Sequence, residues 1–494
     1  MTVHLVGGGP GDPGLLTVRG AELLARAEVV VFDRLAGASL LDLAPGDAEL
    51  VDVGKQPGRS ALAQDDINAV LIDRGRSNRT VVRLTAGDPF VFARGDEEAR
   101  ALRDAGVAFE IVPGVTSAIA APAYAGIPLT SRYSSTSFTV VRGREDPDTG
   151  DTPVNWNAIV RTGGTIVIMM GGRQISATVE RLVAAGLAPS TPATAVRWGT
   201  RPEQHTTRTT LAGLADAGPE APSVIVVGEV AAEDLAWFEN RPLFGSGIVV
   251  TRGGAQTSSL VGRLRELGAD PIEVPTIEIT DPDDGGVALR AALSDLADYE
   301  WLVLTSPNGV RRTLAELHDA RALAGVKIAA IGPATAAALE AANIVADLVP
   351  ERFVAESLLD AMGAPPHDGA RVLLSRAAVA RDVLPEGLAA AGWSVEIVDA
   401  YRTVPVQVAA GARREVASAD MVTFTSPSTV TNFVAAFGPD GVPPLVACIG
   451  PATAATAREL GLDVDIQPEE HTIEGLVAAI AAHASRPSRS GRVM

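Results

Sequence analysis

Short apolar runs alternate with polar, turn-rich stretches along the whole chain. Residues 3–6, 28–32, 49–53, 80–84 and 107–112 are valine-rich and bounded by glycine and proline, which predicts buried strands. Between them apolar residues recur at helical spacing, as at Leu16, Leu23, Leu24 and Ala27. Strands alternating with helices predict a parallel α/β lobe. Each predicted strand runs into a Gly/Pro loop, and in open α/β sheets ligand sites collect at these carboxyl ends. The first loop, residues 7–13, holds four glycines and two prolines, so its backbone can approach a ligand closely. Asp12 is expected to cap the following helix and Pro13 to be its first residue. The loop lacks the G-x-G-x-x-G dinucleotide pattern. Asp33 stands at the end of the second strand, but on spacing alone Asp33-Arg34 reads first as a surface ion pair.

The pattern restarts near the middle. Apolar residues 224–227 lead into Trp237–Arg252, whose centre carries Pro242, Gly245, Ser246 and Gly247, and a new apolar run opens at Ile248. A turn-rich piece between two strands predicts a domain linker. The second half then repeats itself. Residues 248–252 recur as 372–376, residues 264–276 as 388–400, Thr305-Ser306-Pro307 as Thr425-Ser426-Pro427, and residues 331–337 as 449–455, at offsets of 118 to 124. A single period of that size predicts two homologous lobes, since solenoid repeats run roughly 20–50 residues. The repeated loops follow a strand and open a helix with Ser, Thr or Gly. Helix N-termini and small hydroxyls receive anions; on residue type alone Ser306, Thr335, Ser426 and Thr453 read first as helix caps or early-turn residues, while two lobes with facing helix ends suggest a cleft for a polyanion.

Composition narrows the classes. Hydrophobic residues make up 47% and charged residues 20% of 494, as in a folded globular protein. A formal charge of −19 argues against broad binding to nucleic acid or anionic membrane. The single cysteine, Cys448, reads as a buried thiol and fits a reducing, cytoplasmic setting. No apolar run is long enough to span a membrane and the N-terminus lacks a signal-peptide pattern, so no membrane partner is expected. Six histidines are scattered without metal-ligand spacing, and no metal is expected.

Several motifs then converge on one family. Gly7–Pro13, Asp33-Arg34-Leu35, Val53-Gly54-Lys55, Gly87-Asp88-Pro89-Phe90-Val91-Phe92, Pro113-Gly114-Val115-Thr116-Ser117-Ala118 and Tyr124-Ala125-Gly126-Ile127-Pro128-Leu129-Thr130 occur in order. With Met169-Met170-Gly171, Trp198-Gly199-Thr200 and Gly228-Glu229-Val230, they resemble uroporphyrinogen-III C-methyltransferase. The resemblance implies two α/β lobes with S-adenosyl-L-methionine (SAM) between them and methylation of uroporphyrinogen III to precorrin-2. It places Pro10, Ala86, Gly87, Asp88, Val91, Thr116, Ser117, Met170 and Gly199 around SAM, with Asp33 as proton acceptor and Lys55 as proton donor. Five positions depart from the family pattern. Thr85-Ala86 replaces Lys-Gly, Ala93 replaces a glycine, and Ser131 and Arg144 replace histidines. If position 86 needs a left-handed backbone, alanine there would be strained.

The second half resembles uroporphyrinogen-III synthase. The resemblance rests on the paired Thr-Ser-Pro and Gly-Pro-Ala-Thr loops, on Ala400-Tyr401-Arg402-Thr403, and on His471-Thr472-Ile473-Glu474-Gly475-Leu476. It implies closure of linear hydroxymethylbilane to uroporphyrinogen III with inversion of ring D. Arg252, Ser306, Thr335, Arg376, Arg381, Ser426 and Thr453 would bind the substrate's carboxylates, and Tyr401 would donate a proton to the departing hydroxyl.

The expected fold class is α/β: a two-lobed tetrapyrrole-methylase fold, then a bilobal synthase built from two doubly wound lobes. The methyltransferase would span 1–243, with lobes near 1–128 and 129–243. The synthase would span 247–484, with one lobe at 247–279 plus 405–484 and the other at 280–404, and the tail 485–494 would be disordered. Tetrapyrroles are the expected partners, with a homodimer formed through the methyltransferase half. Two rivals remain: a sensor or scaffold that binds SAM or a tetrapyrrole without turnover, and an RNA-modifying relative of the methylase fold, disfavoured by the acidic balance.

Overall fold

The computed structural model describes residues 2–33, 37–54, 62–77, 79–144, 154–251, 255–351, 355–380, 382–406, 408 and 411–485. Lys55, Arg252, Arg381 and the expected disordered tail beyond Ser485 lie outside the described residues. The chain divides into two compact units, Met1–Gly245 and Ser246–Met494.

The first unit opens with five parallel strands: β1 (Val3–Gly7), β2 (Val29–Phe32), β3 (Glu49–Asp52), β4 (Val81–Thr85) and β5 (Phe109–Val112), in the order β3-β2-β4-β1-β5. The valine-rich runs of the inner strands β1 and β2 follow from burial on both faces. Val29 and Val31 enter one core with Val3, Leu5 and Val81, whereas Val30 enters the opposite core with Val6, Val82 and Leu84. A second sheet holds β6 (Phe138–Arg142), β7 (Thr165–Met169), β8 (Pro192–Arg197), β9 (His205–Thr210) and β10 (Ser223–Val227), in the order β6-β7-β10-β8-β9. Only β6 and β7 pair in parallel.

One local expectation needs correction. Asp12 does not cap the long helix: it caps a single 3-10 turn, Pro13–Leu15, accepting from the Gly14 N–H at 2.8 Å. The α-helix Val18–Leu24 starts afresh under Thr17, which accepts from the Gly20 N–H. The boundary between the two units falls inside the expected linker, between Gly245 and Ser246, and the part before it, 237–245, packs within the first unit. Phe238 and Leu243 are buried, and Tyr124, Trp237, Phe238 and Phe244 meet edge to face at centroid distances of 4.8–5.7 Å. The Trp237 indole donates to the Ala123 carbonyl, and the Leu235 N–H donates to that of Gly126. This strap therefore clamps helix Ser117–Tyr124 from behind.

The second unit begins with parallel β11 (Gly247–Val250) and β12 (Asp270–Glu273). The chain leaves through β13 (Ile277–Thr280) and builds β14 (Trp301–Leu304), β15 (Lys327–Ala330), β16 (Arg371–Ala377) and β17 (Ser394–Pro405). It returns to add β18 (Met421–Phe424) and β19 (Leu445–Cys448) to the first sheet. The sheet orders are β12-β11-β18-β19 and β13-β17-β16-β14-β15. The two crossing segments run side by side, with Ile277 opposite Pro405 and Thr280 opposite Arg402, antiparallel, so β13 sits in the sheet of β14–β17. The sequence repeat reappears as paired detail: Asp347 accepts from the Ile328 N–H at 2.7 Å and Asp465 from the Val446 N–H at 2.8 Å.

Candidate active sites

In the first unit, the carboxyl ends of β1 and β4 and the N-terminus of helix Ser117–Tyr124 face the loops after β6, β7 and β8 across a cavity of about 740 Å³. That volume lies within the range of roughly 300–1,000 Å³ usual for small-molecule sites. Three glycines let the first-sheet loops converge. A Cβ on Gly7 would fall 2.6 Å from the Gly87 carbonyl oxygen, and one on Gly114 only 2.1 Å from it. Of the nine residues placed around SAM by resemblance, Pro10, Ala86, Gly87, Val91, Thr116, Ser117, Met170 and Gly199 line this cavity. Asp88 is not among the lining residues; its carboxylate accepts from the N–H groups of Phe90 and Gly114 and so ties two loops together.

Backbone strain gathers here. Phe92, Met170 and Trp198 line the cavity with φ of +52°, +57° and +50°, and Thr200 beside it has φ +75°. Such conformations cost of order 1–3 kcal/mol each and cluster at functional sites. Ala86 is not among the positive-φ residues, so the strain expected there does not arise; the left-handed residue is Gly87, φ +69°. Trp198, Phe92, Gln174 and the three arginines Arg142, Arg144 and Arg201 also line the cavity and escaped sequence reasoning as site residues. Arg144 had stood out only as a departure, and positive φ at a non-glycine leaves no trace in a sequence.

Asp33 sits at the end of β2 with partial exposure. The Thr85 hydroxyl donates to its Oδ2 at 3.4 Å, and the Arg83 guanidinium lies 3.6 Å from the same oxygen. Its Oδ1 is buried and accepts no hydrogen bond. Asp12 instead accepts from the Tyr124 hydroxyl at 2.7 Å; burial, and then this bond, push the Tyr124 hydroxyl well above the usual tyrosine range.

In the second unit the residues again stand at carboxyl strand ends. Ser306 follows β14, caps helix Pro307–Ala315 through the Gly309 N–H, and lies 3.0 Å from the Tyr401 hydroxyl. Tyr401 reaches it from β17, its ring in the apolar core, just where a register shift interrupts the pairing of β16 with β17. Arg376 lies beside that shift and pairs with Asp382 at 2.9 Å. Ser426 caps helix Pro427–Phe437 in a capping box with Thr429. Thr335 and Thr453 are not caps. Gly332 and Gly450 occupy those positions, and both threonines lie in the first turn at 3% exposure. Among the described residues no group of three or more His, Cys, Asp or Glu is placed to hold a metal, and no helix is long and apolar enough to cross a membrane.

Residues 2–215 match the family model of tetrapyrrole (corrin/porphyrin) methylases, and residues 258–478 that of uroporphyrinogen-III synthase HemD. The chain is 36% identical over 489 residues to the porphyrin biosynthesis protein HemD of Ruminiclostridium josui, covering 96% of each. It is 46% identical to the S-adenosyl-L-methionine-dependent uroporphyrinogen III methyltransferase of Methanosarcina barkeri, over 46% of this chain and 91% of that protein. A crystal structure of uroporphyrin-III C-methyltransferase from Thermus thermophilus with S-adenyl homocysteine is 37% identical, with a TM-score of 0.41 over 47% of this chain and 98% of that one. The chain thus belongs to the bifunctional enzymes of tetrapyrrole biosynthesis in which a methylase is joined to a uroporphyrinogen-III synthase.

Proposed function

We propose that the second unit closes hydroxymethylbilane to uroporphyrinogen III with inversion of ring D, and that the first unit methylates that product with SAM to precorrin-2. The observation that carries the methylase reading is the 740 Å³ cavity, which draws its walls from eight of the nine residues expected around SAM. Those residues suit the ligand: backbone at Gly87 can approach closely, Thr116 and Ser117 bring hydroxyls, and Val91 and Met170 bring apolar and thioether surface. SAM would supply an electrophilic methyl carbon. The pyrrole carbon that takes it becomes part of a cationic ring, which must lose a proton. Asp33, with one buried oxygen accepting nothing, is the proposed acceptor; Lys55 keeps its proposed role as donor on the resemblance alone.

The synthase step is largely positioning, since a linear chain must be held bent while its ends join. Tyr401, hydrogen-bonded to Ser306, is the proposed donor of the proton that leaves with the terminal hydroxyl as water. Ser426 and Arg376, together with Arg252 and Arg381, are the proposed holders of acetate and propionate groups. Thr335 and Thr453, nearly fully buried, would serve through the helix ends they complete. A cytoplasmic homodimer formed through the first unit belongs to the same reading, supported by the family resemblance. The test is the purified protein with hydroxymethylbilane, with and without SAM, followed by product isomer and mass. Type III isomer without SAM and a doubly methylated product with it are expected. Type I isomer, or no mass gain with SAM, refutes the corresponding half.

A further inference from the structure

One buried ion pair lies inside the first sheet's core, where sequence economy gives no reason for it. Arg83 occupies the middle of β4, flanked by Val82 and Leu84, and is 6% exposed. On that face of the sheet its neighbours are Val29, Val31 and Val81. Its Nε donates to Oε1 of Glu98 at 3.0 Å, and Glu98, from helix Gly95–Asp104, is 3% exposed. Gln64 donates to the same Glu98 oxygen from helix Gln64–Arg76, and Arg83 Nη1 donates to the Leu84 carbonyl. The remaining arm, Nη2, points to Asp33 Oδ2 at 3.6 Å. A buried ion pair is a weak source of stability, because desolvation offsets the attraction and apolar residues of similar volume serve as well. Its retention in a valine core points to what the free arm does.

We propose that Arg83, tethered by Glu98, is the positioning residue for Asp33: with the Thr85 hydroxyl it engages Oδ2 and leaves Oδ1 bare to receive the proton. This rests on the reading of Asp33 as the proton acceptor. The same guanidinium thus stands between two carboxylates, with Glu98 on Nε and Asp33 at Nη2. Asp52, at the end of the neighbouring β3, has a carboxylate that accepts from the Gly54 N–H.

The test is the pH–rate profile of methyl transfer by the full chain with uroporphyrinogen III and SAM. Glu98→Gln keeps the shape and both hydrogen bonds but removes the competing charge, so the acid limb should move to lower pH. Arg83→Met removes the cation, so the limb should move to higher pH, each by about one unit. Arg83→Lys should bring it partly back. SAM affinity should be unchanged in all three, because neither residue lines the cavity. A purely structural pair would lower the melting temperature and leave the limb in place. Limbs that stay put, or that move in the same direction in both variants, overturn the proposal. If Arg83→Met does not fold, the sign of the Glu98→Gln shift decides alone. Asp33→Ala separates the two claims. Wild-type turnover there removes the base and this inference with it; an inactive Asp33→Ala beside unmoved limbs removes only the inference.

Discussion

Replacing Gly199 with alanine tests whether the cavity wall is as tightly specified as its contacts indicate. Gly199 lies between two left-handed residues, Trp198 and Thr200, in the loop after β8. A Cβ at 199 would fall 2.3 Å from the Ala121 Cβ and 2.9 Å from its Cα. Carbon atoms pack best at about 3.5–4.0 Å, so more than about 1 Å of overlap must be relieved. Neither side yields easily. Ala121 lies in helix Ser117–Tyr124, and the strap behind that helix is already in contact: a Cβ on Gly126 would sit 2.3 Å from the Leu235 carbonyl carbon. Overpacking of this kind costs about 1–3 kcal/mol. The functional cost should be larger, because the displaced helix carries Thr116, its cap, and Ser117 on the cavity wall. A misplacement of about 1 Å at a reacting site costs on the order of 10²-fold in rate. The assay is calorimetric SAM binding together with methyl transfer, with synthase activity of the same preparation as the internal control. Methylation should fall about a hundredfold while ring closure keeps its rate. A variant that is less stable by that increment yet binds SAM and methylates as before would show the 199–121 contact to be packing alone, and the reasoning would fail.

Four further outcomes are expected. Asp33→Ala should lower methylation by roughly 10²–10⁴-fold, the span for loss of a general base, with SAM binding retained; unchanged turnover removes Asp33 from the reaction. Tyr401→Phe should slow ring closure by a similar roughly 10²–10⁴-fold and leave methylation of supplied uroporphyrinogen III intact, whereas full synthase rate would make Tyr401 a core tyrosine only. Burial pushes the Cys448 thiol up to about 11, so the native protein should resist alkylation at pH 8. The unfolded chain, with a thiol near 8.5, should react readily, and rapid native labelling would contradict the burial. Division of the gene between Gly245 and Ser246 should yield a C-terminal fragment that makes uroporphyrinogen III without SAM, because each unit has its own sheets and cores; an insoluble or inactive fragment refutes that independence.

What the sequence could show, and what it could not, follows from how each feature is encoded. The inner strands β1 and β2 of the first sheet were legible because burial on both faces demands valine-rich runs, and the valines then sort by parity, Val30 to one core and Val29 and Val31 to the other. The second unit was legible because a repeat is a comparison within one chain and needs no outside standard. Loop residues such as Gly87, Thr116 and Gly199 were legible only through resemblance; their glycines and hydroxyls alone suit any tight turn. Features that depend on two distant segments meeting were not legible. Asp12 looked like a helix cap, yet its second oxygen serves Tyr124, 112 residues away. Trp237 and Phe238 looked like the start of a linker, yet their partners are aromatic rings and carbonyls of the helix beside the cavity. Tyr401 and Ser306 belonged to separate motifs until a register shift beside β17 accompanied their meeting at 3.0 Å. Arg83 is the instructive case between these classes. An arginine within Val81-Val82-Arg83-Leu84 breaks an apolar run at a position the sheet must bury, and a buried cation must have a partner. The anomaly was readable in the sequence. Its partner was not, because Glu98 sits in a run of acidic residues at the start of a helix, Asp96-Glu97-Glu98, where negative charge already has a sufficient reason in the helix dipole. Only the fold shows that one of the three turns inward, and that the charge it meets leads on to Asp33.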